Sequence, residues 1–195
     1  MDLPINTAEE CGFYLMNAAK EIPHHTKELV SLTRHLLTRE FVLCSGSGSA
    51  HRHHYGESGL LIHTCEVVKT CLSACNDYHG KADLDVVELF LSAIYHDSGK
   101  VFDYQINEHG EWCNTPHKRM VNHIPESCII WDNALKIVHR NFRLRYRDCV
   151  MHNILSHHGR QEWGSPVTPK SKAAWVLHLA DMTSAMLGDP ENRDA

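Results

Sequence analysis

Histidine and aspartate side chains that could bind a metal ion recur where apolar, helix-like runs of the sequence end. Two pairs show this pattern: His96 and Asp97 before Gly99, and His157 and His158 before Gly159. Glycine just beyond a helix is a common left-handed cap, so we expect both pairs to lie in the last turns of helices. The negative end of a helix dipole favours a cation. If the two helix ends converge, they form a site for a divalent metal ion.

Three further candidates lie within predicted helices. His63 stands in GLLIHTCEVV, His123 in KRMVNHIPES and Asp181 in WVLHLADMTSAML, where it interrupts an apolar helix. Each of these residues alone is more often a buried, hydrogen-bonded polar residue or an exposed one. Together with the two pairs they form an ordered set of imidazole and carboxylate groups, which favours a shared site.

The chemistry of this set suits a divalent transition metal. The 17 histidines are dispersed along the chain, and neutral imidazole is the commonest metal ligand in proteins. Mixed imidazole and carboxylate ligands favour Mn²⁺, Fe²⁺, Ni²⁺ or Zn²⁺ over Mg²⁺, although Mg²⁺ stays possible. Such an ion lowers the pKa of water, and a second ion stabilises charge on a phosphoryl group. Hydrolysis of a phosphoester is a reaction that this chemistry could support.

The order of these residues resembles the H…HD…D signature of the HD superfamily of metal-dependent phosphohydrolases, here at His63, His96, Asp97 and Asp181. The longer stretches HHYGESGLLIHT, YHDSGK and SHHGRQEWGSPVTPKSKAAWVLHLAD are similar to the HD domain of YhaM-type bacterial 3′–5′ exoribonucleases. The resemblance runs from about residue 53 to residue 187.

The resemblance implies a role for each matching residue. His63, His96, Asp97 and Asp181 would bind the first metal ion, and His123, His157 and His158 would extend the site to a second or third ion, with Asp97 bridging. Asp97 and Lys100 would be catalytic, with Lys100 near the substrate phosphate, and His54 would contact substrate. The implied substrate is a nucleotide, a cyclic nucleotide or a short nucleic acid. The alternative is a catalytically silent nucleotide-binding or regulatory module.

A basic segment, KIVHRNFRLRYRD, could bind that substrate. It interleaves arginines, among them Arg143 and Arg145, with Phe142 and Tyr146, and this composition suits single-stranded nucleic acid. A solvated helix face fits the segment equally well. YhaM-type enzymes carry an N-terminal oligonucleotide-binding barrel, whereas about fifty helix-like residues stand here, so we expect an HD domain without that barrel and diffusible substrates fit as well.

The elements that must position these residues are predicted to be helical almost throughout. Apolar spacing predicts helices over about residues 7–21, 25–43, 59–79, 83–97, 117–139, 145–157 and 170–187. Residues 101–115 alternate like a small β-hairpin with its turn at Asn107 to Gly110. We therefore predict an all-α HD-type bundle with this hairpin. Residues 1–195 would form one domain, with N-terminal helices in 1–45 and a metal-binding core over about 53–187.

Composition narrows the setting of the protein. The 195 residues are 43% hydrophobic and 22% charged, as in an ordinary globular protein, and no apolar run approaches the length of a membrane span. No secretory signal is visible, and the eight cysteines are scattered without a Cys-x-x-Cys pair. We therefore expect free thiols in the cytoplasm and no membrane partner. The net charge of −5 gives no global reason to expect nucleic-acid binding, and the oligomeric state is not evident.

Overall fold

A computed structural model describes residues 7–78 and 83–188 of the chain. In these residues ten α-helices and one hairpin follow each other. The helices are α1 (Ala8–Glu21), α2 (Thr26–Leu36), α3 (Arg39–Leu43), α4 (Gly59–Asp77), α5 (Val86–Tyr95), α6 (Lys100–Asp103), α7 (Pro116–Met120), α8 (His123–Ala134), α9 (Arg140–Ser156) and α10 (Lys172–Gly188). The strands are β1 (Tyr104–Ile106) and β2 (Trp112–Asn114). The predicted all-α fold with a small hairpin is confirmed.

Helix α5 forms the centre of the core. Its side chains from Leu89 to Tyr95 are completely buried, because helices α2, α4, α8, α9 and α10 all pack against it. Asp85 caps the start of α5 by accepting the backbone N–H groups of Val87 and Glu88. A helix that is apolar on all sides is expected in such a position. Because α5 is buried, the residues that follow Tyr95 also lie in the interior of the protein.

Three helix predictions differ from the structure in their boundaries. The helix predicted over 25–43 divides at Leu37, because the Thr38 hydroxyl accepts the Phe41 N–H and starts a new helix. The helix predicted over 117–139 divides at Asn122, which has a φ of 70° and caps α8. Helix α9 begins at Arg140, five residues before the predicted start at 145. Polar capping residues interrupt the apolar spacing at these places without glycine or proline.

The predicted hairpin is confirmed over a shorter range. Strands β1 and β2 are antiparallel and pair Tyr104 with Asn114 and Ile106 with Trp112. The Asn107 side-chain oxygen accepts the backbone N–H groups of His109 and Glu111 and so closes the predicted turn. Residues 101–103, which were predicted as strand, belong to α6 instead.

The two glycines that follow the ligand pairs have different roles. Gly159 has a φ of +80°, as predicted for a left-handed cap. The same prediction is wrong for Gly99, which has a φ of −69°. Gly99 is required there by close approach, since a Cβ atom would collide with the backbone oxygen of His123 at the start of α8.

The described part of the chain contains no helix long and apolar enough to cross a membrane.

The N-terminal helices pack directly on the core. Helix α1 contacts α2 and α4, and α2 contacts α5 and α8. The Tyr95 hydroxyl donates to the Leu32 carbonyl at 2.9 Å, which joins α5 to α2. That all of residues 1–195 form one domain stays a prediction.

Candidate metal centre

Four of the predicted ligands form one cluster, which we call the first ligand group: His63, His96, Asp97 and Asp181. One donor atom of each lies within 4.8 Å of the others. The Nε2 atom of His63 lies 3.2 Å from Nε2 of His96 and 3.1 Å from Oδ1 of Asp181. Helix α4 supplies His63, the end of α5 supplies His96 and Asp97, and α10 supplies Asp181. All four residues are buried.

The other three predicted ligands, His123, His157 and His158, form the second ligand group, in which the donor atoms also lie within 4.8 Å of one another. His123 starts α8, while His157 and His158 follow the end of α9. The convergence of helix ends that the sequence predicts is therefore present at α5 and α9.

Asp97 lies between the two groups and faces both. Its Oδ2 atom is 3.2 Å from Nε2 of His63 and 3.4 Å from Nε2 of His96. Its Oδ1 atom is 3.3 Å from Nε2 of His123 and 3.6 Å from Nε2 of His157. A carboxylate that offers one oxygen to each group has the geometry to be shared by two ions.

The residues present fit a divalent transition metal. Oδ1 of Asp97, Nε2 of His123 and Nε2 of His157 are buried and have no hydrogen-bond partner among the described residues. Buried polar atoms without a partner are unfavourable, and three that face one another need a cation or an ordered molecule to satisfy them. Imidazole and carboxylate donors together favour a metal of the Mn²⁺ to Zn²⁺ series.

The five histidines of the two groups are held in a common orientation by their Nδ1 atoms. Nδ1 of His96, His157 and His158 donates to the carbonyl groups of Ala93, Ile154 and Trp163 at 2.8, 2.7 and 2.8 Å. Nδ1 of His123 donates to Asp103 at 3.1 Å, and Nδ1 of His63 donates to the Ser184 hydroxyl at 2.8 Å. Such bonds fix the tautomer and leave Nε2 free as the metal-binding nitrogen.

Three supporting residues were not identified from the sequence: Asp103, Glu66 and Ser184. Asp103 is completely buried and also accepts Lys118 Nζ at 2.9 Å. The Ser184 hydroxyl donates to Glu66 at 2.6 Å. Ser184 follows Asp181 by three residues and Glu66 follows His63 by three, so helical spacing could have indicated both. No comparable spacing indicates Asp103, because its contact with His123 is made between two separate elements.

Lys100 and His54 both lie beside the first ligand group. Lys100 is buried, with Nζ 2.7 Å from Oδ2 of Asp97. His54 contacts Glu66 through Nε2 at 3.1 Å, and its ring centre is 5.1 Å from that of His63. The structure brings both residues to the site, and their roles in catalysis and substrate binding stay predictions.

The two ligand groups differ in their electrostatics. Burial alone would raise the pKa of the Asp97 carboxyl, but the charges of Lys100 and His96 outweigh it and hold this pKa well below its usual range. Burial likewise opposes ionisation of His63, yet hydrogen bonds to Asp181 and Asp97 raise its pKa to about 9. In the second ligand group, burial lowers the pKa of His123 to about 4. Around neutral pH the second ligand group therefore offers a neutral imidazole at His123, whereas His63 carries a proton that an ion must displace.

Arg143 and Arg145, predicted to bind substrate, are not brought to this site. Arg145 pairs with Asp85 at 3.1 Å, and Asp85 caps the end of α5 opposite His96, roughly 16 Å away at 1.5 Å per residue. Arg143 precedes His157 by 14 residues of α9, or roughly 21 Å. The charges of this helix face therefore lie at the other end of α9 from the ligand groups, and their role in substrate binding stays a prediction.

Another set of potential ligands, His25, Glu28 and His139, also brings donor atoms within 4.8 Å of one another. Nδ1 of His139 accepts the backbone N–H of Phe142 at 3.2 Å. Its Nε2 atom therefore carries the proton and donates to Glu28 at 3.1 Å. This hydrogen bonding makes His139 the cap of α9 and a link to α2, and it leaves no free nitrogen on this ring for a metal.

Comparisons with known proteins match the part of the chain that contains the two ligand groups. The HD domain family matches residues 60–186, a range that contains all seven residues of the two ligand groups. Curated relatives named 3′–5′ exoribonuclease YhaM occur in Shouchella clausii, Geobacillus sp. and Bacillus licheniformis; they are 29%, 28% and 30% identical over 84%, 80% and 80% of this chain. These matches cover 49%, 46% and 48% of the relatives, so the chain spans about half the length of the curated relatives it matches. No solved structure matches the chain at a significant level.

Proposed function

The chain belongs to the HD domain family of metal-dependent phosphohydrolases, and we propose that it hydrolyses phosphodiester bonds at the end of a single-stranded nucleic acid or in a nucleotide. The observation that carries this proposal is Asp97, whose two oxygens face two separate ligand groups. The name of the relatives, 3′–5′ exoribonuclease, supports RNA as the first substrate to test.

Each ligand group would bind one metal ion. His63, His96 and Asp181 would hold one ion and His123, His157 and His158 another, with Asp97 shared. When bound, divalent ions of this kind lower the pKa of water and stabilise negative charge on a phosphoryl group. We propose Mn²⁺ as the first metal to test, with Fe²⁺, Ni²⁺ and Zn²⁺ as the chemically similar alternatives.

The remaining side chains of the site would prepare it for a phosphate. Lys100 keeps the shared carboxylate ionised, because its Nζ atom lies 2.7 Å from Asp97 in a buried position. The same ammonium group would offset the charge of a phosphate that enters beside Asp97. His54 is hydrogen-bonded to Glu66 and lies next to His63, and this position supports the proposal that its imidazole would contact substrate.

The test combines metal content with turnover. Purified protein loaded with Mn²⁺ is assayed on a 5′-labelled oligoribonucleotide, on cyclic nucleotides and on nucleoside triphosphates. We expect the His96→Ala variant to lose bound metal and activity together. The control is His109→Ala, which alters an exposed histidine of the hairpin turn and should keep both.

Two results would contradict the proposal. Undiminished metal content and activity in His96→Ala would remove the assignment of the first ligand group. Saturable nucleotide binding without any turnover in the wild-type protein would replace the enzyme with a nucleotide-binding or regulatory module.

A further inference from the structure

Two half-exposed tryptophans flank one histidine next to the second ligand group. Trp163 is 47% exposed and Trp175 is 51% exposed. Their ring centres lie 6.2 Å and 5.9 Å from that of His178, so both indoles contact the same imidazole. We call Trp163, Trp175, His178 and the neighbouring Arg160 the aromatic platform. Neither ligand group uses it.

The aromatic platform is joined directly to the metal ligands. His158 donates to the backbone carbonyl of Trp163 at 2.8 Å, and His178 donates to that of His157 at 2.8 Å. On α10, Trp175 precedes the ligand Asp181 by six residues, which is about 9 Å along the helix axis. Through the two hydrogen bonds the platform adjoins the second ligand group.

The chemistry of the platform suits a nucleobase. The Arg160 guanidinium lies 4.9 Å from the centre of the Trp163 ring, in the arrangement of a cation–π contact. Bases stack on aromatic side chains and on arginine planes, and this stacking tolerates any base because each has a π face.

The local backbone holds Trp163 in place before any ligand binds. The turn over Gln161–Trp163 is closed by hydrogen bonds from the N–H groups of Trp163 and Ser165 to the Arg160 carbonyl, at 3.1 and 3.2 Å. Gly164 continues the turn with a φ of +95°, a conformation that glycine adopts without strain. The turn that carries Trp163 is thus ordered by its own backbone hydrogen bonds.

We propose that the aromatic platform binds the base of the nucleotide whose phosphate lies at the ligand groups. The position of the phosphate rests on the proposed function, while the stacking surface itself does not. The platform makes the protein select nucleotides and nucleic acids over sugar phosphates that carry no base.

The experiment is calorimetric titration of the full chain, loaded with Mn²⁺, with adenosine 5′-monophosphate, ribose 5-phosphate and adenosine. The wild-type protein should bind the nucleotide at least tenfold more tightly than ribose 5-phosphate. Trp163→Ala and Trp175→Ala should each reduce that preference roughly tenfold and leave ribose 5-phosphate unaffected. Trp163→Phe should retain most of it, since a smaller aromatic face remains. Phe13→Ala is the control, because Phe13 is a 65% exposed aromatic residue on α1.

The outcomes separate this inference from the proposed function. Equal affinity of the wild-type protein for nucleotide and ribose 5-phosphate would overturn the platform, whatever its hydrolytic activity. Equal weakening of both ligands by Trp163→Ala would also overturn it, as would self-association that depends on the tryptophans without an effect on nucleotide. Tryptophan-dependent binding of adenosine with no gain from phosphate and no turnover would support the platform and contradict the hydrolase.

Discussion

Replacing Asp103 with asparagine should weaken metal binding at the second ligand group and leave the first ligand group intact. Asp103 is completely buried and accepts hydrogen bonds from Nδ1 of His123 at 3.1 Å and from Lys118 Nζ at 2.9 Å. An asparagine keeps the shape but loses the charge, and both donors reach the same oxygen, Oδ2, so the neutral amide oxygen would replace a charged acceptor there. The bond that fixes the tautomer and orientation of the His123 ring would then be weaker.

The size of this effect follows from the role of Asp103. Loss of a hydrogen-bond partner behind a metal-bound histidine typically lowers affinity by about 10- to 100-fold, or about 1.4–2.7 kcal/mol. Stability of the metal-free protein should fall by about 1–3 kcal/mol because two buried hydrogen bonds to a charged acceptor become bonds to a neutral one. The Lys118 side chain is 25% exposed, so it can turn towards water, and we expect the lower half of that range.

Calorimetric titration with Mn²⁺ measures the prediction, and a reciprocal variant controls it. Glu66→Gln acts through Ser184 on His63, so it should weaken the first ligand group instead of the second. Asp103→Asn and Glu66→Gln should therefore lower the affinity of different ions. The reasoning is refuted if both variants weaken the same ion, or if Asp103→Asn leaves both affinities unchanged.

Three further predictions concern the same centre. Asp97→Asn should abolish binding of both ions and lower activity at least a thousandfold, because each carboxylate oxygen faces one ligand group; elemental analysis showing one retained ion would argue against sharing. Gly159→Ala should lower the free energy of unfolding by about 3 kcal/mol in urea, since φ is +80° and the new Cβ would lie 2.5 Å from Cε1 of His178; an unchanged midpoint would contradict it. In the metal-free protein the titration of His63 and His123 should together give maximal stability near pH 6.5. The stability from His63, with its pKa raised to about 9, is full below 6.5 and lost as the pH rises to 9. His123, with its pKa lowered to about 4, removes about 3 kcal/mol as the pH falls from 6.5 to 4, and a monotonic profile by thermal denaturation would contradict both.

Much of the fold follows from apolar spacing, and the exceptions have local causes. The long amphipathic and apolar runs predict α1, α4, α5 and α10 to within a few residues. The divisions at Leu37 and Asn122 were not predicted, because threonine and asparagine caps are compatible with a helical pattern until the backbone turns. Residues 101–103 were read as strand since alternation over three residues cannot distinguish a strand from one turn of helix.

The candidate site was predictable for the seven candidate ligands and less so for the residues that hydrogen-bond to them. The seven ligand positions carry a motif that can be read along the chain, and the structure brings their donor atoms together. Asp103 carries no such motif, because its partner His123 lies 20 residues away on another helix. For Arg143 and Arg145, composition favours a nucleic-acid contact but does not tell where the residues lie. The direction of α9 decides which end of the bundle they reach.

The uniform use of Nδ1 for internal hydrogen bonds has a consequence for how quickly the centre fills. The rings of His96 and His157 are anchored to carbonyl groups of their own helices, and the ring of His158 is anchored to the carbonyl of Trp163 in the turn that follows α9. The rotamer freedom of these rings is therefore already lost when the chain folds. An ion that binds there would meet imidazoles whose orientation is already fixed. We therefore expect side-chain rearrangement at these rings to contribute little to the time that an ion needs to bind.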